Sequence, residues 1–230
     1  MDGNKADMCF TDPPYNINFS GTMGCTSKDG KIITMKDGYK VPNSQYDDIK
    51  NDNKNEKDFN LFISNMLNII KSFVKSGWYI CFSSSTLNEI LTPLIDNKMK
   101  WKSIIIWNKN QSPMGGGHYR KKYEPIIYGY FENKFYGKNY AEDDVWEHQR
   151  TLKNELHPTM KPIPLISQAI NNSSKINETV LDLFGGSGST LIACEQLNRK
   201  CYMMELDPNY CQVIIDRWEK FTGLEAKKVN

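Results

Sequence analysis

"VLDLFGGSGSTLIACEQLNRKCYMMELD", residues 180–207, holds a complete supersecondary unit. An apolar run at 180–183 enters a glycine-rich turn, residues 190–197 follow a helical period, and a second apolar run at 200–204 ends in an acid. This order predicts a strand, a helix and a parallel strand. Gly185, Gly186 and Gly188 let the backbone turn tightly and approach a ligand closely. The helix opening near Ser189 then aims its unpaired N–H groups at whatever occupies the turn.

Glu205 follows the turn at about the spacing where an acid meets ribose hydroxyls in nucleotide-binding βαβ units. The glycines do not follow the GxGxxG spacing of dinucleotide proteins, and the turn lacks the lysine of a P-loop. Two readings remain: a tight turn with no ligand, or a site for adenosine without pyrophosphate. An amino-acid carboxylate is a second candidate for the helix terminus. S-adenosylmethionine has both parts.

Outward from this unit, apolar runs at 8–10, 78–82, 104–107 and 126–130 read as strands. Helices are expected from an Asp58 cap to near Gly77, around Leu87–Leu91, from Pro164, and over 208–221 between Pro208 and Gly223. Residues 16–57 read as a long loop, and 134–158 show no period. Strands alternating with helices predict an α/β fold, a mainly parallel sheet covered on both faces. Ligands of such sheets bind beyond the carboxyl ends of the strands, which directs attention to 11–16 and 184–190.

The first of these corners reads "FTDPPYN", residues 10–16. An exocyclic amine on a nucleobase is a poor nucleophile, because its lone pair is delocalised into the ring. Two acceptors aimed at its N–H bonds would hold the nitrogen and favour pyramidalisation. Asp12 offers a carboxylate, and the Pro13 carbonyl sits in a backbone stiffened by Pro14. Tyr15 offers a flat surface on which a base stacks, an interaction worth ~1–3 kcal/mol. The plainer alternative is a strand-ending turn with a capping acid.

The chain has 230 residues, 39% hydrophobic and 24% charged, which suits one globular domain with a small insertion. No apolar stretch is long enough to cross a bilayer and no signal peptide precedes Cys9, so an intracellular protein is expected. Cys9, Cys25, Cys81, Cys194, Cys201 and Cys211 form no CxxC pair, and His118, His148 and His157 have no metal-like spacing; buried thiols and no metal are expected. Between Asp96 and Glu124 stand Lys98, Lys100, Lys102, Lys109, Arg120, Lys121 and Lys122 with no acid among them. Such a run is either a solvated face or a nucleic-acid contact. Trp101, Trp107, Trp146 and Trp218 are expected in the core.

DPPY at residues 12–15, "HPTMKP" at 157–162 and "DLFGGSGST" at 182–190, in that order, resemble the permuted, β-class amino-DNA methyltransferases. "IKNDNKNEKDF" and "YRKKYEPIIYGY" add to the likeness, which runs over most of the chain. The resemblance implies that Asp12, Pro13, Pro14 and Tyr15 act on a flipped base. It implies that Phe10, Asp12, Asp182, Phe184, Gly185, Gly186, Ser187, Gly188, Ser189, Thr190 and Asp207 surround S-adenosylmethionine. Glu205 would take its ribose, and Thr159 and Lys161 its methionine end, with Lys161 paired to the carboxylate. The fold implied is a Rossmann-like, circularly permuted sheet whose antiparallel member is 126–130. A strand and Gly-Asp turn precede the DPPY segment in the family; Met1 follows that point, so the N-terminal edge strand is expected to be missing.

Base flipping would bring double-stranded DNA to Lys109, His118, Tyr119, Arg120, Lys121 and Lys122, within a target-recognition insertion at 108–157 of a single domain, 1–230. Gly115–Gly117 would meet phosphates there. A homodimer, a cognate restriction endonuclease, no membrane and a bacterial or phage-encoded cytoplasmic protein complete the expectation. Adenine N6 is favoured over cytosine N4 because the family's cytosine enzymes more often carry Ser in place of Asp12. A truncated DNA-binding remnant, and methylation of RNA or a glutamine amide, are the competing functions.

Overall fold

The computed structural model describes residues 1, 3–17, 52–111, 118–138, 141–150 and 160–229, together with the backbone of 25–26 and 32–33. Its N-terminal elements are β1 (Met8–Thr11), β2 (Cys25–Thr26), β3 (Ile32–Ile33), α1 (Glu56–Phe73), β4 (Gly77–Cys81) and α2 (Leu87–Asp96). β5 (Trp101–Asn108), β6 (Tyr123–Tyr130) and β7 (Val145–Glu147) follow. The chain then runs through α3 (Ile163–Ser173), β8 (Thr179–Asp182), α4 (Ser189–Gln196), β9 (Lys200–Met203) and α5 (Pro208–Thr222).

The described residues form a seven-stranded sheet in the order β7-β5-β6-β4-β1-β8-β9, with β2 and β3 paired separately. β6 runs antiparallel to both β4 and β5, while the other pairings in the large sheet are parallel. The antiparallel member expected at 126–130 is therefore present, and longer than the sequence suggested. Pro125 lies inside it, opposite Ile106. β9 is the last strand on its side among the described residues.

Each sheet face carries its own apolar cluster. Phe59, Ile63, Leu67 and Ile70 of α1 and Leu94 of α2 pack with Trp78 and Ile80 of β4. Leu165, Ile166, Ala169 and Ile170 of α3 and Ala193 of α4 pack with Met8, Phe10 and Tyr79. Burying such side chains contributes about 1.5–3 kcal/mol each, which holds the strand ends in one register. Gly77 opens β4 because a Cβ there would stand 2.7 Å from Ser173 Oγ of α3.

Three expectations need correction. The cap of α1 is Asn55 rather than Asp58: Asn55 Oδ1 accepts the Asp58 N–H at 2.9 Å, and Asn55 Nδ2 donates to Asp58 Oδ2 at 2.7 Å. The acid thus sits three residues inside, its carboxylate paired with the side-chain amide of the cap. α1 also ends at Phe73, well before Gly77, because Val74 turns extended (φ −115°, ψ 138°). β7 went unrecognised within the aperiodic 134–158 stretch, since three residues are too few to show a period.

Trp107 and Trp146 are buried, whereas Trp101 and Trp218 are only partly so. Cys9, Cys81 and Cys194 are buried thiols, Cys201 and Cys211 are partly covered, and the Cys25 side chain lies outside the described residues. Among the described residues no helix is long and apolar enough to cross a membrane.

Candidate active site at two neighbouring strand ends

β1 lies directly beside β8, with Met8 opposite Val180 and Cys9 opposite Leu181. Their parallel direction delivers the proline corner and the glycine corner to the same edge of the sheet. Thr11 joins them: its Oγ1 donates to Asp182 Oδ1 at 3.2 Å and accepts the Leu183 N–H at 3.2 Å. One cavity of about 340 Å³ opens between the corners. Phe10, Asp12, Pro13, Pro14, Tyr15, Lys161, Asp182, Phe184, Gly185, Gly186, Ser187, Ser189, Thr190, Glu205 and Asp207 all line it. Gly188 is not in the lining; it caps α4 at φ 78° and faces Ile214. Thr159 and His157 lie outside the described residues, as do Gly115–Gly117.

The glycine turn is tied to the end of β9. Gly186 (φ 52°) donates its N–H to Glu205 Oε2 at 2.7 Å, and the Asp207 N–H reaches Glu205 Oε1 at 2.8 Å. The carboxylate therefore lies at the cavity with both oxygens oriented. Asp207 also caps α5 by accepting the Asn209 N–H at 2.9 Å. Arg217 of α5 braces the turn, donating to the Ser187 carbonyl at 2.8 Å and to Ser189 Oγ at 3.2 Å.

Asp182 sits beneath the cavity. Burial pushes its carboxyl up to about 7, against the pull of hydrogen bonds from Thr190, the Phe184 N–H and Thr11.

Asp12 is held from two directions. Tyr15 OH donates to Oδ1 at 2.6 Å, and Lys161 Nζ donates to Oδ2 at 2.6 Å and to Tyr15 OH at 2.9 Å. Burial drives the Tyr15 hydroxyl well above its usual range, and Asp12 and Glu124 add to this, so it stays a protonated donor. Lys161 is 6% exposed and lies 3.2 Å from Glu124 Oε2. Burial alone would lower its affinity for a proton, but Asp12 and Glu124 overcome that and keep the ammonium charged. Lys161 was expected at a methionine carboxylate; here it is engaged with Asp12, Tyr15 and Glu124.

Glu124 was not anticipated at the site. Lys109 pairs with its Oε1, and burial, which would raise its carboxyl, is outweighed by Lys161 and Lys109, which hold it at about 2. Lys109 had been grouped with the exposed bases, yet its side chain is 7% exposed and turned inward to Glu124. A signal existed in the sequence: Glu124 is the acid that ends the seven-base run. His118, Tyr119, Arg120, Lys121 and Lys122 are exposed, Tyr119 to 95%, and Lys121 Nζ donates to Ser85 Oγ at 2.9 Å.

The arrangement can present an anionic acceptor, Asp12, beside a pocket that also holds the Glu205 carboxylate and the start of α4. The family model described as DNA methylase, the N6/N4 methyltransferase family, matches residues 6–216. The chain belongs to this family. The methylase is 28% identical over 239 residues to the type II methyltransferase M2.MboI of Moraxella bovis, covering 95% of this chain and 82% of that protein. Among solved structures, its fold resembles M1.HpyAVI in complex with SAM (TM-score 0.63, 22% identity, 94% of this chain and 90% of that one). It also resembles the PvuII DNA methyltransferase described as cytosine-N4-specific (TM-score 0.66, 14% identity, 96% and 86%). The methylase thus has the α/β methyltransferase fold expected from its motif order.

Proposed function

We propose that the methylase transfers a methyl group from S-adenosylmethionine to N6 of an adenine flipped out of double-stranded DNA. The observation that carries this reading is the shared cavity, in which Asp12 and the Gly186–Glu205 pair line opposite corners. Its volume of about 340 Å³ suits a small ligand. Glu205 offers the carboxylate for ribose hydroxyls, and Ser189 and Thr190 at the start of α4 line the same cavity. Bound there, S-adenosylmethionine supplies an electrophilic methyl group on a sulfonium.

Asp12 and the Pro13 carbonyl then accept the two N–H bonds of the target amine, keeping its lone pair directed at the donor. Asp12 also takes the proton that the nitrogen sheds once the new N–C bond has formed. Tyr15 supports the base and orients Asp12 through its hydroxyl. Such fixed orientation supplies much of the rate in a transfer with no covalent enzyme intermediate.

Two further parts belong to this proposal. Residues 118–122, between β5 and β6, meet the DNA backbone, and target recognition belongs to the 108–157 region around them, whose β6 and β7 are strands of the main sheet. Likeness to a type II methyltransferase supports a cognate endonuclease as partner of a bacterial or phage-encoded cytoplasmic protein; a homodimer is proposed with it.

The test is labelled methyl transfer to adenine-containing DNA, expected to vanish in Asp12→Ala while S-adenosylmethionine still binds. Wild-type transfer by that variant would end the catalytic assignment. Cytosine N4 is the second reading, since the same pair of acceptors fits that amine. Digestion of the product to nucleosides and mass spectrometry separates the two: N6-methyladenine supports the first, N4-methylcytosine the second.

A further inference from the structure

Four buried or half-buried charges stand in a chain at the site: Lys109, Glu124, Lys161 and Asp12. They come from the end of β5, the start of β6, the segment before α3 and the turn after β1. Their formal charges sum to zero. We propose that Glu124 is a positioning residue: steadied by Lys109, it holds Lys161 so that Lys161 fixes the Asp12 carboxylate in the orientation that receives the target amine. This rests on Asp12 being the amine acceptor.

The geometry supports the chain link by link. An ammonium has three N–H donors. Lys161 directs two at Asp12 Oδ2 (2.6 Å) and Tyr15 OH (2.9 Å), and Glu124 Oε2 stands 3.2 Å from the same nitrogen. Among the described residues Glu124 Oε2 is buried without a hydrogen-bond partner, and it faces Lys161 as an ion pair at 3.2 Å. Oε1 is taken by Lys109. Lys109 is anchored in turn, its N–H donating to the Lys122 carbonyl at 2.9 Å and its ammonium lying 5.3 Å from the Trp107 ring centroid.

Tyr15 OH and Lys161 each take one lone pair of Asp12, and a carboxylate has about four such sites. Asp12 therefore keeps room for an amine N–H while its plane is set from behind. Without Glu124, Lys161 would have one carboxylate to follow and would be free to move with it, or to turn towards an anionic end of the donor. Buried ion pairs contribute little to net stability, so packing alone gives no reason to place four charges here.

The test uses the full chain, tritiated S-adenosylmethionine and bacterial genomic DNA free of adenine methylation, in single turnovers at saturation. Glu124→Gln is expected to slow methyl transfer by about 10–100-fold, the scale of a small misplacement of a reacting group. Calorimetric dissociation constants for S-adenosylmethionine should stay within about twofold, as the donor's contacts are not altered. Lys109→Met should slow transfer in the same sense, and Lys109→Arg should restore it. The double variant should be no slower than Glu124→Gln, because both act through Lys161.

Unchanged transfer in a folded Glu124→Gln would overturn the proposal. So would additive losses, or a loss confined to donor affinity, which would return Lys161 to the donor carboxylate. If Glu124→Gln fails to fold, Lys109→Met decides: slow transfer rescued by Lys109→Arg supports the proposal, and a wild-type rate overturns it. Failure of the underlying reading is separate, since it shows as wild-type transfer in Asp12→Ala.

Discussion

Thr11 Oγ1 lies 3.2 Å from Asp182 Oδ1, a hydrogen bond between residues 171 positions apart that closes the gap between two neighbouring strand ends. The same hydroxyl accepts the Leu183 N–H, so the proline corner cannot shift against the glycine corner without breaking both contacts. The two corners that line the cavity are thereby built on one edge of the sheet. Asp182 is the cost of that arrangement, a carboxyl buried beneath the site.

That burial has a pH signature. Asp182 titrates near 7 in the folded chain against an ordinary 3.8. As pH rises through this window the unfolded chain gives up its proton first, so the folded state holds more protons and stability falls. The slope is at most about 1.4 kcal/mol per pH unit for one group. Glu124 acts in the opposite sense and lower: held at about 2 rather than 4.5, it stabilises above that window and its contribution is lost as pH falls through it. Urea denaturation from pH 4.5 to 7.5 should show the decline in the wild type and a flatter curve for Asp182→Asn. Parallel curves would remove the claim.

Glu205 should matter to donor affinity more than to rate. Its carboxylate is already oriented by the Gly186 and Asp207 N–H groups at 2.7 and 2.8 Å. Glu205→Gln removes the charge but keeps the shape, and hydrogen bonds to a charged group contribute about 1.5–3 kcal/mol. Calorimetry is expected to show S-adenosylmethionine bound about 10–100-fold more weakly, with transfer at saturating donor reduced far less. Equal affinity in the variant would take Glu205 out of the donor site.

The βαβ unit was legible almost to the residue, because glycine punctuation and two periods fall within a single short window. The strand expected at 180–183 is Thr179–Asp182, and the helix expected at 190–197 is Ser189–Gln196. What sequence could not reveal was the wiring behind Asp12. A lysine that ends buried against two carboxylates looks, in sequence, like any exposed lysine. Lys109 and Lys121 belong to one basic run, yet one turns inward to Glu124 and the other outward to Ser85. Only the antiparallel pairing of β5 and β6, with Trp107 opposite Glu124, decides which.

In the proposed site Tyr15 has two jobs that substitution can separate. Tyr15→Phe keeps the ring and removes the hydroxyl that donates to Asp12 at 2.6 Å and accepts from Lys161 at 2.9 Å. Transfer should slow by about 3–10-fold, the worth of one net hydrogen bond. Tyr15→Ala also removes the stacking surface, a further ~1–3 kcal/mol. Single-turnover rates of wild type, Phe and Ala variants should fall in that order; an Ala variant as fast as Phe would dismiss the ring.

The exposed bases should separate from the buried one by their response to salt. Each phosphate neutralised releases counterions, so the logarithm of DNA affinity falls linearly with that of salt concentration, by about 0.9 per contact. Arg120, Lys121 and Lys122 are exposed beside Tyr119, whereas Lys109 is spent on Glu124. Lys122→Ala and Arg120→Ala should each lower the salt slope by about one while leaving transfer at saturating DNA close to wild type. Lys109→Met should do the reverse, keeping the slope and slowing transfer. Fluorescence anisotropy with a labelled duplex between 50 and 200 mM salt, a range in which such contacts change affinity by about 10-fold or more, reads the slope directly. A slope unchanged by both surface variants would move the DNA to another face of the methylase.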